Sequence, residues 1–458
     1  MCHFLAALLP LLASLTIVSA QGTACSSTNP CSSDAPCCSE YGFCGSGNFC
    51  LGGCNPLASN SLTSCMPMPV CQDANHTFSD NSRILPNATD FDGNATKYDW
   101  VVDKGNIINT NSSGGALGMV LTESNGGTRL SSTRYVHYGT ITARVKTGRW
   151  GGVVTAFITM SNIKDEIDWE FPGAQTTQGQ TNFFWQGFIP QTTNGETEKG
   201  LSDTYDDYHD YTIDWQPASL AWSIDGNTVR TVQASTTKNG SVTEFPSTPS
   251  RIQLSLWPAG INGTASGTVQ WAGGMIDWND PDYTSAGNQF QAYISSVSVK
   301  CADPTPVGNM SSYVYGSNSS TSTPNITLSS ASTLLEGGAA STPSISTSLA
   351  KKIGIIAAVA LFALIISALL VRACLQRRRR KARASQTTAP GFGGQTYSSL
   401  KDSTVNLADT HVPDLDYGGN QYPPAPPAYG GQQPYNSAPQ YGGGRPPYGS
   451  QQEQFRRY

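Results

Sequence analysis

The stretch most able to do chemistry is Asp165-Glu166-Ile167-Asp168-Trp169-Glu170-Phe171. Side chains alternate along a strand, so Glu166, Asp168 and Glu170 fall on one face and Asp165, Ile167, Trp169 and Phe171 on the other. Three acids side by side repel one another, and a sequence shaped by stability alone would separate them or pair them with Lys or Arg. Retaining glycoside cleavage gives a reason for the crowding, because it needs an ionised carboxylate as nucleophile beside a protonated carboxyl that serves as acid and then base. An Asp between two Glu holds or shares a proton, which keeps the nucleophile charged, while repulsion raises the pKa of the acid. Positions four apart on a strand are separated by about 13 Å, whereas a retaining pair works at about 5 Å. The pattern therefore demands a curved strand whose long Glu side chains converge. Trp169 and Phe171 on the opposite face imply a buried back, which an acidic surface strand without function would not need.

Such a strand must sit in a larger sheet, and the surrounding sequence supplies one. Tyr138 to Val145, Tyr211 to Trp215, Leu220 to Ile224 and Arg251 to Trp257 alternate as strands do, with turn signals close between them. Asp225-Gly226 reads as a two-residue hairpin loop. No helical periodicity of useful length interrupts the pattern, so the body from about 65 to 301 is expected to be an antiparallel β-sandwich or barrel.

The rest of the 458-residue chain divides by composition. Residues 4 to 19 are apolar and end in Val18-Ser19-Ala20, a cleavable signal over residues 1–20, although its leading residues lack Lys and Arg. Ten of the 12 cysteines lie between Cys25 and Cys301, a crowding that fits an oxidising compartment. Residues 353–371 carry no charge over 19 positions, enough for one transmembrane helix. Arg372, Arg377 to Arg380, Lys381 and Arg383 follow it and place the C-terminus in the cytoplasm, giving a single-pass type I protein of the plasma membrane. With that basic run explained as a stop-transfer signal and a net charge of -5, nucleic acid is not an expected partner. Sequons at Asn75, Asn87, Asn94, Asn111, Asn239, Asn262, Asn309, Asn318 and Asn325 all precede the span. Residues 302–350 read as a Ser/Thr-rich stalk too polar to build a core, and 372–458 as a disordered cytoplasmic tail. Within the tail, Pro423 to Tyr429 has the composition of a WW or SH3-like ligand. The five His residues (3, 76, 137, 209 and 411) show no ligand spacing, so neither metal nor cofactor is expected.

Residues 25–54 hold Cys25, Cys31, Cys37, Cys38, Cys44 and Cys50, with Ser39, Tyr41, Phe43 and Phe49 interleaved. A miniature this dense in disulfides has little core, so its aromatic rings are expected at the surface, where they can stack on sugar faces while Ser39 meets an acetamide. The spacing resembles the hevein-type chitin-binding domain, carbohydrate-binding module 18. That resemblance implies the pairings Cys25–Cys38, Cys31–Cys44 and Cys37–Cys50, with the family's fourth bridge shortened or absent.

Asp165 to Phe171 likewise resembles the E-x-D-x-E signature of glycoside hydrolase family 16, in the form without a bulge-making extra residue. The resemblance implies a concave β-jelly roll over 55–301, with Glu166 as nucleophile, Asp168 assisting and Glu170 as proton donor. Arg251 to Gly260 and Gly267 to Gly274, with Cys54 and Cys65 upstream, are similar to the Crh proteins, cell-wall transglycosylases that join chitin to β-glucan. Glu170, Gln253 and Trp257 are expected to line the sugar groove, with Thr268 on the following strand. Trp185 and Trp222 fit groove or core equally, and Cys54–Cys65 and Cys71–Cys301 are the expected further disulfides. Crh proteins commonly carry a glycolipid anchor, which the 84 residues after Cys374 (458 minus 374) exclude here. The expected activity is cleavage of chitin with transfer to glucan or chitin. Hydrolysis without transfer and a non-enzymatic chitin-binding wall sensor are the alternatives.

Overall fold

In the computed structural model, residues 22–110 and 115–335 are described, together with Arg372. Two eight-stranded, almost wholly antiparallel sheets form the body. The front sheet contains β1 (Trp100–Lys104), β2 (Thr128–Val136), β3 (Val153–Ser161), β4 (Glu166–Pro172), β5 (Gln178–Phe184), β6 (Glu196–Lys199) and β7 (Ser250–Pro258). They lie in the order β6-β5-β4-β3-β7-β2-β1, with Ile84–Leu85 at the far edge. The back sheet centres on Gly139–Lys146, flanked by His209–Trp215 and Phe290–Cys301.

Alternation builds the core between the sheets. Ile167, Trp169 and Phe171 of β4 and Phe183 of β5 meet Tyr211, Ile213, Trp215 and Trp222 of the back sheet, all nearly inaccessible to water. Each large ring so buried removes about 150 to 250 Å² from solvent. Their polar atoms still need partners, and the indoles find them across the sandwich: Trp169 Nε1 donates to Thr212 O at 3.1 Å and Trp222 Nε1 to Asp168 O at 3.0 Å. Trp222 is therefore core. The hairpin at Asp225-Gly226 forms, with both residues at positive φ (49° and 79°), which suits a right-twisted two-residue turn.

Three expectations need correction. The segment from 302 is not a bare spacer: Ser312–Tyr315 and Ile326–Ser329 pair with each other and with Met68–Pro69 as a small sheet. Tyr313 and Tyr315 are buried beside Val70, Tyr135 and Ile163, so local apolar alternation outweighs the polar average of the segment. Thr268 lies not on a strand but on α1 (Ser266–Trp271), a short helix whose apolar stripe is too brief to register as a period. A second short helix, α2 (Pro281–Ser285), begins with the Asp280 side chain accepting from Asp282 N. The N-terminal module also runs past residue 54. Ala58 packs among Cys25, Cys31, Cys38 and Cys44, Ser59 Oγ accepts from Cys38 N at 2.9 Å, and Cys54 is bonded to Cys65 as a fourth bridge.

The other disulfides are Cys25–Cys38, Cys31–Cys44, Cys37–Cys50 and Cys71–Cys301, the last spanning 230 positions. Among the described residues no helix is long and apolar enough to cross a membrane. The segments read as signal (1–20), span (353–371) and tail beyond Arg372, and the sequon at Asn111, lie outside the described residues.

Candidate active site

β4 is held in continuous register on both sides. Glu166, Asp168 and Glu170 pair with Met160, Ile158 and Ala156 of β3 and with Phe184, Asn182 and Gln180 of β5. No bulge shifts the phase, so all three acids point to the open face of the front sheet, away from the core. Asp165, the residue before, points inward and is fully buried. Its carboxylate accepts from Gln186 N at 2.9 Å, Ser247 N at 3.0 Å, Thr248 N at 3.1 Å and Thr248 Oγ1 at 2.7 Å. It thereby ties the start of β4 to the end of β5 and the approach to β7.

Burial is the main force on the three acids and pushes all of them up. Glu166 rises to about 7 and Glu170 to about 8, while Asp168 sits well above the usual carboxylate range. For Asp168 the charges of Glu166 and Glu170 add to the burial, and its hydrogen bond with Glu166 raises it further. The same bond lowers Glu166, as does the neighbouring Lys164 ammonium. Glu166 and Asp168 are thus hydrogen-bonded to each other, an arrangement in which two neighbouring acids share one proton. Asp168 Oδ1 has no partner and is shielded from solvent. Glu170 has the repulsion of Glu166 and one relief, a hydrogen bond from Trp257. The two glutamates thus differ in their neighbours: Glu166 has Asp168 and Lys164 to relieve it, Glu170 only Trp257.

Gln253 and Trp257 occupy the same face of β7, with Gln253 buried and its Nε2 donating to Ser131 Oγ at 3.1 Å. Trp257 is half-buried and stacks on Trp271 of α1, ring centres 6.2 Å apart. Thr268 is half-buried on the same helix. Trp185 follows β5 and lines a groove with Phe188, Asn194 and Arg230. Sequence reasoning missed the half-exposed Gln180, Asn182 and Phe184, which flank the acids on β5. Their signal is plain once register is known, since each sits opposite an acid, but pairing is not visible from one strand alone.

The module's proposed sugar contacts are distributed unevenly. Phe49 is 42% exposed over Gly45, where an added Cβ would meet its ring at 2.4 Å. Ser39 Oγ accepts from Phe43 N at 3.3 Å. Tyr41, expected at a free surface, is instead turned against the front sheet, where Arg129 Nη2 donates to its hydroxyl at 2.9 Å. Of the sequons, Asn75, Asn87, Asn239, Asn262, Asn309, Asn318 and Asn325 are exposed, whereas Asn94 is half-buried and its Oδ1 accepts from Thr96 N at 3.1 Å.

A two-sheet β-sandwich carrying E-x-D-x-E on the open face of one sheet, backed by tryptophans, is built as a glycoside-hydrolase-type domain. Residues 94–273 match the model of glycosyl hydrolases family 16, and this segment is similar to the domains of that family. The chain is 41% identical over 262 residues to Crh-like protein 2 of Aspergillus fumigatus, covering 56% of this chain and 57% of the relative. It is 38% identical over 274 residues to Congo red hypersensitive protein 2 of Saccharomyces cerevisiae, covering 59% of this chain and 58% of the relative. The chain thus spans less than two thirds of the length of these relatives. A solved structure described as Crh5 transglycosylase in complex with NAG is 26% identical, with a TM-score of 0.47, over 57% of this chain and 95% of that one.

Proposed function

We propose that this protein is a retaining cell-wall transglycosylase that cleaves chitin and transfers it to β-glucan or chitin. The observation that carries the reading is geometric: Glu166, Asp168 and Glu170 stand in unbroken register on the open face of β4, with Lys164 beside Glu166 and Trp257 hydrogen-bonded to Glu170. In the first step the Glu166 carboxylate attacks the anomeric carbon as the glycosidic C–O bond breaks, and Glu170 gives its proton to the leaving oxygen. Asp168 keeps its own proton and steadies Glu166. In the second step Glu170 takes the proton of an acceptor hydroxyl, whose oxygen displaces Glu166 and restores both groups. Water in place of the sugar hydroxyl gives hydrolysis by the same route, so the balance rests on how well the open face holds an acceptor. We further propose that residues 353–371 anchor the protein in the plasma membrane with the catalytic domain facing the wall, and that the tail's Pro423 to Tyr429 meets a WW or SH3-like groove.

The test is incubation of the full chain with chitin oligomers and a fluorescent glucan oligomer, beside Glu166→Gln and Glu170→Gln. Label moving into a larger, chitinase-sensitive product with the native chain alone supports transfer. Chitin shortening without label transfer makes the protein a hydrolase, and chitin binding without turnover leaves the sensor reading.

A further inference from the structure

The same open face that carries the acids also carries a buried charge cluster filled by the N-terminal module. Arg251 of β7 is in register with Glu166 through Met160, two strands away, and Arg129 of β2 is in register with Glu170 through Ala156 and Ser255, three strands away. At the usual strand spacing these are separations of about 10 and 14 Å. Glu40 of the module lies between the two guanidiniums: its Oε2 accepts from Arg251 Nη2 at 2.8 Å and its Oε1 from Arg129. Asp103 of β1 completes the set, accepting from Arg129 Nε at 3.2 Å. The side chains of Glu40, Arg251 and Asp103 are 9%, 7% and 7% exposed. The Lys164 ammonium also lies close enough to Glu40 to lower it, so withdrawing Glu40 would leave buried cations in excess. Around the cluster, Arg129 lies over the Tyr41 ring at 5.7 Å, and Gly53 N donates to Asn162 Oδ1 at 3.1 Å and to the Tyr135 hydroxyl at 3.3 Å. The contact is built from well-paired groups on both sides, not from a loose tether.

We propose that Glu40 and Tyr41 form a stop across the β7–β2 half of the open face, so that a glycan enters from the β5–β6 side and the stop sets the length it accepts. This rests on the reading of the open face as the glycan site. A chain crossing the strands over Glu166 and Glu170 meets β5 with Gln180, Asn182 and Phe184 half-exposed on one side, and on the other meets the Glu40–Arg251 pair. Tyr41 is also among the rings the module offers to chitin, so the module cannot use that ring for a free polymer while it is docked.

The module contains no tryptophan, whereas Trp257 and Trp271 stand half-buried at the open face. Quenching of tryptophan emission therefore reports on the cleft and not on the module. The experiment titrates full-length Glu166→Gln, alone and combined with Glu40→Lys or Tyr41→Ala, with chitin oligomers of increasing length. Melting curves check that each variant is folded. The expected result is affinity that levels off with length when the stop is intact and goes on rising when it is removed, with at least a tenfold gain for the longest oligomers. The same length dependence in all three proteins overturns the stop and leaves the glycan site standing. No quenching in any of them overturns the glycan site, and the stop with it.

Discussion

Glu166, Asp168 and Glu170 show how a site is made reactive at the expense of stability. Glu170 ordinarily titrates near 4.5 and is pushed up to about 8 in the fold. Above about pH 4.5 the unfolded chain releases this proton while the native one retains it, so the group makes folding less favourable as pH rises towards 8. Glutamine has the same shape and no proton to lose. Glu170→Gln is therefore expected to be inactive yet more stable at neutral pH, by roughly 1 to 3 kcal/mol, with the gain gone below about pH 4. Thermal melts of the two proteins across that range test this, and an unchanged difference at low pH would refute the titration argument. Glu40 has the opposite sign. Although burial acts to raise it, the Arg129 and Arg251 charges bring it down to about 2, so its ion pairs support docking above its ordinary value and are lost only as pH falls towards 2.

At the scale of the element, β4 depends on residues that never touch substrate. Asp165 satisfies four donors at one buried point. Asp165→Ala would orphan all four and is expected to cost about 3 to 5 kcal/mol, read as a lowered melting temperature. Loss of less than about 1 kcal/mol would mean that water or a neighbour takes over the donors. The strand itself was legible in the sequence, because alternation alone assigns the acids to one face and Trp169 and Phe171 to the other. The Asp225-Gly226 hairpin was equally plain, since its turn chemistry is local. What escaped was set by partners distant in sequence. Nothing near Glu40 announces Arg251, 211 positions away, and the strand at Ser312–Tyr315 was masked by a polar average that a few tyrosines override. Thr268 was placed on a strand because a helix of 6 residues is shorter than two turns and leaves no period to detect.

Across the whole molecule, the Cys71–Cys301 bridge joins the entry of the catalytic body to its exit over 230 positions. Its removal as a Cys71→Ser, Cys301→Ser pair frees a long loop in the unfolded state and is expected to cost about 4 to 5 kcal/mol, measured by denaturant melts. A loss below about 1 kcal/mol would show that the sandwich holds its ends without the staple. The bridge also governs how the protein bears tension. If the module grips the wall while the far end of the chain is held elsewhere, a pull first loads the Glu40 contacts on β7 and β2; once these part, tension entering before Cys71 leaves at Cys301 through a covalent bond, and the jelly roll between them is relieved. The small sheet of Met68–Pro69 with Ser312–Tyr315 lies just outside that bypass, in line with the force. It would part after the module has left the front sheet, lengthening the tether while the acid-bearing strand keeps its shape.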